Sequence, residues 1–236
     1  MTTTNFLTRR LALLAWLTLI AGMLAACGPD AAAEGAPEAD PEAATGAAAS
    51  TIADAELAAA LEQVRAATSR FQDVNVALAE GYVRDPNDLC DTAEMMGRPA
   101  DWGVMGIHFV RMDLLGITAP PNPRVTGTGT HTDFTKPGVL IYEPQADGTL
   151  ALVAVENLVF VDAWEQAGNT QRPTFHGVEY DLMVDDSATA LDEAHMFAPH
   201  YDLHVWLYRD IPRGMFAQYN PNATCAHHTG ATAHDH

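Results

Sequence analysis

The chain predicts an α+β domain in which an amino-terminal helix packs on a mainly antiparallel β-sheet. Three observations carry this expectation: one stretch of helical periodicity beginning at residue 51, several apolar runs of strand character after it, and turn residues between those runs. From about Thr51 to Glu80, the residues Leu57, Leu61, Val64, Phe71, Val74 and Leu78 recur at intervals of three, four and seven. That is the spacing of one helix face, and Thr51 with Asp54 has the spacing of a capping box. Gly81 is placed to stop the helix.

Strand signals follow. Met105 to Val110 is a short candidate. Val139 to Tyr142 joins Leu150 to Phe160 through Gln145-Ala146-Asp147-Gly148, whose Asp-Gly step favours a tight turn. Val178 to Val184 and Tyr201 to Tyr208 complete the set, while Pro120 to Pro123 and Asn220 to Asn222 read as turns. With no internal repeat and no second linker, residues 51–225 are expected to be a single globular domain.

The longest strand raises the question of chemistry. By period two, Leu150, Leu152, Ala154, Glu156, Leu158 and Phe160 share one face, so a carboxylate sits among apolar neighbours and needs a partner. Glu156 is therefore a metal ligand or general base, or one half of an ion pair with Arg111 or Arg209, or it lies on a face partly in water. The segment from Glu193 to His204 is the densest polar cluster, holding His195, His200 and His204. On a regular strand His200, Asp202 and His204 point the same way, but at strand rise the two histidines lie about 13 Å apart and do not share one ion. A metal site would thus draw on His204 together with His108 and Glu156 from other strands, joined by His195 or His200 if the loop at Pro199 folds back. For His108 and His204 the alternative is a core imidazole bonded to a neighbouring backbone group. Imidazole and carboxylate donors suit Zn(II) or Cu(II).

The amino terminus carries an address. Arg9 and Arg10 precede an apolar stretch from Leu11 to Met23, too short for a confident membrane span and typical of a signal peptide. The run Leu24-Ala25-Ala26-Cys27 resembles the lipobox of bacterial lipoproteins. That resemblance implies cleavage after residue 26 and lipidation of Cys27, which would anchor the exported protein to a membrane. Gly28 is not the aspartate associated in that family with inner-membrane retention, so the resemblance implies an outer-membrane rather than an inner-membrane address. Residues 27–50 then form an Ala-, Glu- and Pro-rich linker without a large apolar side chain, unable to bury a core. Residues 226–236 form a His-rich, polar tail.

With Cys27 lipidated, Cys90 and Cys225 remain as the pair to be oxidised outside the cytosol. A bridge enclosing so long a loop stabilises by about 5 kcal/mol on the chain-entropy model.

Charge narrows the partners. The formal net charge is −19; the leader contributes +2 through Arg9 and Arg10, which leaves −21 once it is removed. Lys136 is the one lysine, so the basic face that nucleic acid requires is missing and no nucleic-acid partner is expected. The acidity favours cations, metals or neutral molecules over anionic partners. Serine-hydrolase elbows, Walker and Rossmann loops, HExxH and CxxCH are all missing from the sequence.

In combination, Gly106-Ile107-His108-Phe109-Val110, Leu140-Ile141-Tyr142-Glu143-Pro144, Leu152-Val153-Ala154-Val155-Glu156 and His204-Val205-Trp206-Leu207-Tyr208-Arg209, with Gly214-Met215-Phe216 and Asn220-Pro221-Asn222, resemble a family of exported bacterial proteins of no established function. The resemblance spans most of residues 71–225 and groups His108, Glu156, Cys90, Cys225 and the 193–204 cluster in one domain. Three functional classes follow: a membrane-tethered lipoprotein that binds a metal ion or small ligand, a metal-dependent enzyme with Glu156 as base, and a structural envelope protein. An open coordination position beside a pocket separates the second from the others.

Overall fold

The computed structural model of the protein describes residues 41–85 and 88–230, with side chains from residue 53 onward. The predicted leader, Cys27 and the first part of the linker lie outside the described residues, as does the end of the tail. From Glu42 onward the described elements belong to one compact unit.

Helix α1 spans Pro41–Thr68 and so begins inside the stretch read as linker, where alanines are the strongest helix formers. It ends at Thr68 rather than at Glu80. The Thr68 hydroxyl turns back onto the Val64 carbonyl at 2.8 Å, a 3-10 turn follows over Ser69–Gln72, and Asp73 caps a separate helix α2, Val74–Ala79, by accepting from the Asn75 N–H. Short hydroxyl and carboxylate side chains compete for backbone groups in this way and interrupt a helix that apolar spacing alone would continue. The break re-aims the predicted face: Phe71 and Ala77 are buried, whereas Leu78 is 49% exposed.

The main sheet contains β1 (Val83–Arg84), β2 (Asp91–Thr92), β3 (Val104–Val110), β4 (Val139–Pro144), β5 (Leu150–Phe160), β8 (Asp181–Met183) and β9 (His200–Val205). Its order is β1-β3-β4-β5-β9-β8, with β2 pairing β3, and each of these ladders is antiparallel. A small ribbon joins β6 (Thr174–Phe175) to β7 (Val178–Glu179), and short helices α3 (Met112–Leu115) and α4 (Val161–Gln166) follow β3 and β5. The predicted strand Val178 to Val184 is thus divided at Tyr180, which is buried and donates its N–H to the Pro173 carbonyl. The last predicted strand stops at Val205: Trp206 donates its N–H to the Met215 carbonyl, and Tyr208 then returns to β5 by donating to the Val153 carbonyl.

One irregularity alters the expected faces. In the β4/β5 ladder Ile141 pairs with Ala154 but Tyr142 pairs with Leu152, so Val153 is an extra residue on β5. Such a bulge shifts the alternation by one. Leu152 therefore packs with Val155, Leu140, Tyr142, Ile107 and Phe109 on the face covered by Val64, Phe71 and Ala77, and not on the face of Glu156. The helical segments are fastened there by polar contacts as well: the Tyr142 hydroxyl donates to the Phe71 carbonyl at 2.6 Å, and Thr68 shares a hydrogen bond with the Tyr208 hydroxyl. Truncating a ring as enclosed as Phe71 costs about 3–5 kcal/mol in comparable cores.

The opposite face carries Ala154, Leu158 and Phe160 from β5, covered by the short helices α3 and α4 and by loops. A disulfide between Cys90 and Cys225 ties the residue before β2 to the end of the domain, as expected from the cysteine count. Among the described residues, no helix is long and apolar enough to cross a membrane.

Candidate metal centre

This second face holds two cross-strand rows. One row aligns Val110, Val139, Glu156 and His204 on β3, β4, β5 and β9; the neighbouring row aligns His108 with Ile141 and Ala154. Directly opposed residues in an antiparallel sheet share a face, so Glu156 and His204 meet head-on and His108 reaches them from two strands away. The Glu156 Oε2 lies 3.6 Å from His108 Nε2 and 3.5 Å from His204 Nε2. All three residues offer ligand atoms within 4.8 Å of one another. Donors bound at about 2.0–2.2 Å to one tetrahedral ion are separated by distances close to these two.

Asp91 completes the setting. Strand β3 pairs first with β2, through Asp91 and Gly106, and then with β4 from Ile107 onward. Gly106 makes the change possible: its φ is +119°, and a Cβ there would lie 2.7 Å from the Tyr142 carbonyl oxygen. Asp91 Oδ2 consequently sits 2.9 Å from His108 Nδ1. The carboxylate accepts from the Nδ1–H and leaves Nε2 aimed at Glu156, the arrangement by which an outer carboxylate orients a metal-binding imidazole.

Burial and charge are balanced unevenly. Burial opposes a charge on His108, but the Asp91 hydrogen bond and the negative charges of Asp91, Glu156 and Asp85 together raise it to about 9. Asp91 feels burial in the other direction, and the two histidines His108 and His195 hold its carboxyl well below the usual range. Glu156 is pushed up by burial, an effect partly offset by His108 and His195. Burial likewise drives His204 far down, and Asp202 far up with help from Glu156 and Asp181.

Several of these groups have no hydrogen-bond partner: Glu156 Oε2, both ring nitrogens of His204, His195 Nε2 and Asp202 Oδ1. A buried polar atom without a partner costs about 1–3 kcal/mol, so such a concentration on one face calls for a species that satisfies several at once. The residues fit a cation: an anionic oxygen and two imidazole nitrogens converge, with no arginine or lysine between them. The ion-pair alternative for Glu156 fails, because Arg111 binds Asp113 and Arg209 binds Glu143. Core imidazoles bonded to backbone groups are not seen at His108, which bonds Asp91, or at His204, which bonds nothing.

His195 and His200 part company with the trio. The loop does fold back, bringing His195 Nδ1 to 3.9 Å from Asp91 and its ring to 6.5 Å from His108, outside the three-ligand group but beside it. His200 is a core histidine instead. Its Nδ1–H donates to the Ala198 carbonyl at 2.9 Å, it stands among Phe160 and Phe197, and burial depresses it to about 3. In the tail, His228 packs near Asp88, its Nε2 3.3 Å from Oδ1. Asp91 was not legible as a site residue; its position directly after a disulfide-forming cysteine was the one available hint.

A cavity of about 490 Å³ opens onto this group, lined by His108, Glu156, His204, Asp91, His195 and Asp202 and by apolar side chains above them. Three protein ligands facing a cavity would leave room for a further ligand on an ion held there. Comparison with protein-family models, with curated proteins and with solved structures finds no match to this chain.

Proposed function

We propose that this chain is an exported, lipid-anchored protein that holds one divalent transition-metal ion at His108, Glu156 and His204, with an open position facing the cavity. The observation that carries the reading is the convergence of buried donors that lack any other partner, Glu156 Oε2 and His204 Nε2 at 3.5 Å, beside an imidazole already oriented by Asp91. The donor set favours Zn(II) or Cu(II) over hard cations, which prefer oxygen ligands. Export and anchoring rest on the run ending in Cys27 and agree with an oxidised Cys90–Cys225 pair.

The cavity above the ligands favours a second reading, metal-dependent catalysis, over a metal site closed by the protein and over a purely structural role, since structural sites are closed by four protein donors. In it Glu156 serves as a ligand, and the base would be another cavity group. Elemental analysis tests the main reading: the full chain, purified through a tag without histidine, should retain one Zn or Cu per chain after dialysis. The ion should be lost in Glu156→Gln and His204→Ala. A wild-type protein that retains no metal, even after incubation with either ion, overturns it.

A further inference from the structure

The cavity is two-sided in its chemistry. Its floor is the polar group of histidines and carboxylates, whereas its walls are Leu89, Met95, Met96, Met105, Leu158 and Phe197. No arginine or lysine lines it. A phosphate, sulfate or dicarboxylate would find no counter-charge beyond the ion and the histidines, with Asp85 and Asp192 also facing it. Methionine walls accept varied apolar shapes, because the thioether chain is unbranched and polarizable.

The mouth repeats the pattern. Leu191 and Met196 line it and are 42% and 41% exposed. The loop beside the mouth is tied down on two sides. Arg124 fastens the covering loop by bonding Asp192 at 2.9 Å, the Phe197 carbonyl at 3.0 Å and Asp185. Leu191 packs against Gly97 on the other side, where a Cβ would lie 2.5 Å from Leu191 Cδ1. His195 and Met196 both adopt positive φ, 54° and 67°, an unfavourable conformation for residues with side chains. This strain places an imidazole on the floor and a thioether at the rim from consecutive positions.

We propose that the cavity receives a small, mainly apolar molecule bearing one neutral or singly anionic head group, which ligates the ion while the apolar part lies along the methionine and leucine walls. This assignment rests on the metal reading given above. Apolar walls ending in exposed Leu191 and Met196 provide area that such a molecule removes from water, and the convergent polar floor provides the single anchoring point typical of a small-molecule site.

The test uses the full chain loaded with Co(II), whose visible bands report ligation of the ion, and a series of n-alkyl hydroxamates from acetyl to octanoyl. Each hydroxamate should perturb the Co(II) spectrum through its head group. Affinity should rise with chain length by up to about fourfold per methylene, the ratio equivalent to about 0.8 kcal/mol per buried CH₂. In a Leu191→Ser/Met196→Ser variant, acetohydroxamate affinity should be unchanged and the gain for the longest chains should shrink severalfold. Neither substitution touches a ligand or a buried core position. A Co(II) spectrum with affinity independent of chain length would overturn this proposal alone. Absence of any protein-bound Co(II) spectrum would overturn the metal reading and this proposal with it.

Discussion

Glu156 and His204 are a directly opposed cross-strand pair, and Glu156 Oε2 lies 3.5 Å from His204 Nε2 with neither atom hydrogen-bonded elsewhere. Their meeting is a matter of register. A one-residue slip of β9 against β5 would send His204 to the helix-covered face, so the apolar residues that hold the register also hold the site. Two buried groups that satisfy neither each other nor the backbone should act on stability and on binding in opposite senses.

The first expectation is that replacing the carboxylate stabilises the metal-free protein. Measured above pH 9, where His108 no longer carries the charge that Glu156 favours, Glu156→Leu removes a buried oxygen without a hydrogen-bond partner and should raise the unfolding free energy in chelator by about 1–3 kcal/mol, while at neutral pH it abolishes the rise in melting temperature on adding Zn(II). Urea unfolding with and without metal measures both. A variant that loses several kcal/mol in chelator would mean that Glu156 is satisfied in solution.

Asp91 should matter through His108. Asp91→Asn keeps the shape but weakens the orientation and basicity of the imidazole, so Zn(II) affinity should fall by about 10–100-fold, as for other outer-shell carboxylates. Competition with a chromophoric chelator reads this directly, and an unchanged affinity would remove Asp91 from the site.

Metal affinity should also depend on pH in a predictable direction. His108, raised to about 9 by its carboxylate neighbours against the effect of burial, holds a proton at neutral pH that the ion must displace. Affinity should therefore increase by about tenfold per pH unit and level off near pH 9, with proton release seen by calorimetry in buffers of different ionisation enthalpy. Stability without metal should run the other way. A raised histidine contributes fully below its ordinary value of 6.5, and that contribution is lost as pH rises through about 9.

The Cys90–Cys225 bridge links stability to the site, because Cys90 immediately precedes Asp91. Reduction should destabilise the domain by a few kcal/mol, the usual effect of opening a long-loop bridge, and should lower metal affinity by loosening Asp91. Thermal melts and chelator competition, with and without reductant, test the two effects. Metal affinity unaltered in a reduced but folded protein would separate the bridge from the site.

At the amino terminus, Cys27→Ser should release the protein from the membrane fraction and block normal processing. Fractionation with metabolic lipid labelling checks this, and a membrane-bound, normally processed variant would refute lipidation.

What the sequence determined by itself was local. The α+β class, the bounds of β5 and the polar positions His108, Glu156 and His204 amid apolar strands follow from spacing over a few residues, and the pairing of the two late cysteines follows from their count. Tertiary structure decided the rest. The Val153 bulge moved Leu152 away from the Glu156 face, Asp91 joined His108 through a strand pairing, and the loop before β9 folded His195 inward while leaving His200 to a backbone carbonyl. Strand periodicity reports alternation along one chain segment. Register, bulges and loop return depend on which distant segments pair and on what must be buried between them, and those terms enter only when the whole sheet closes.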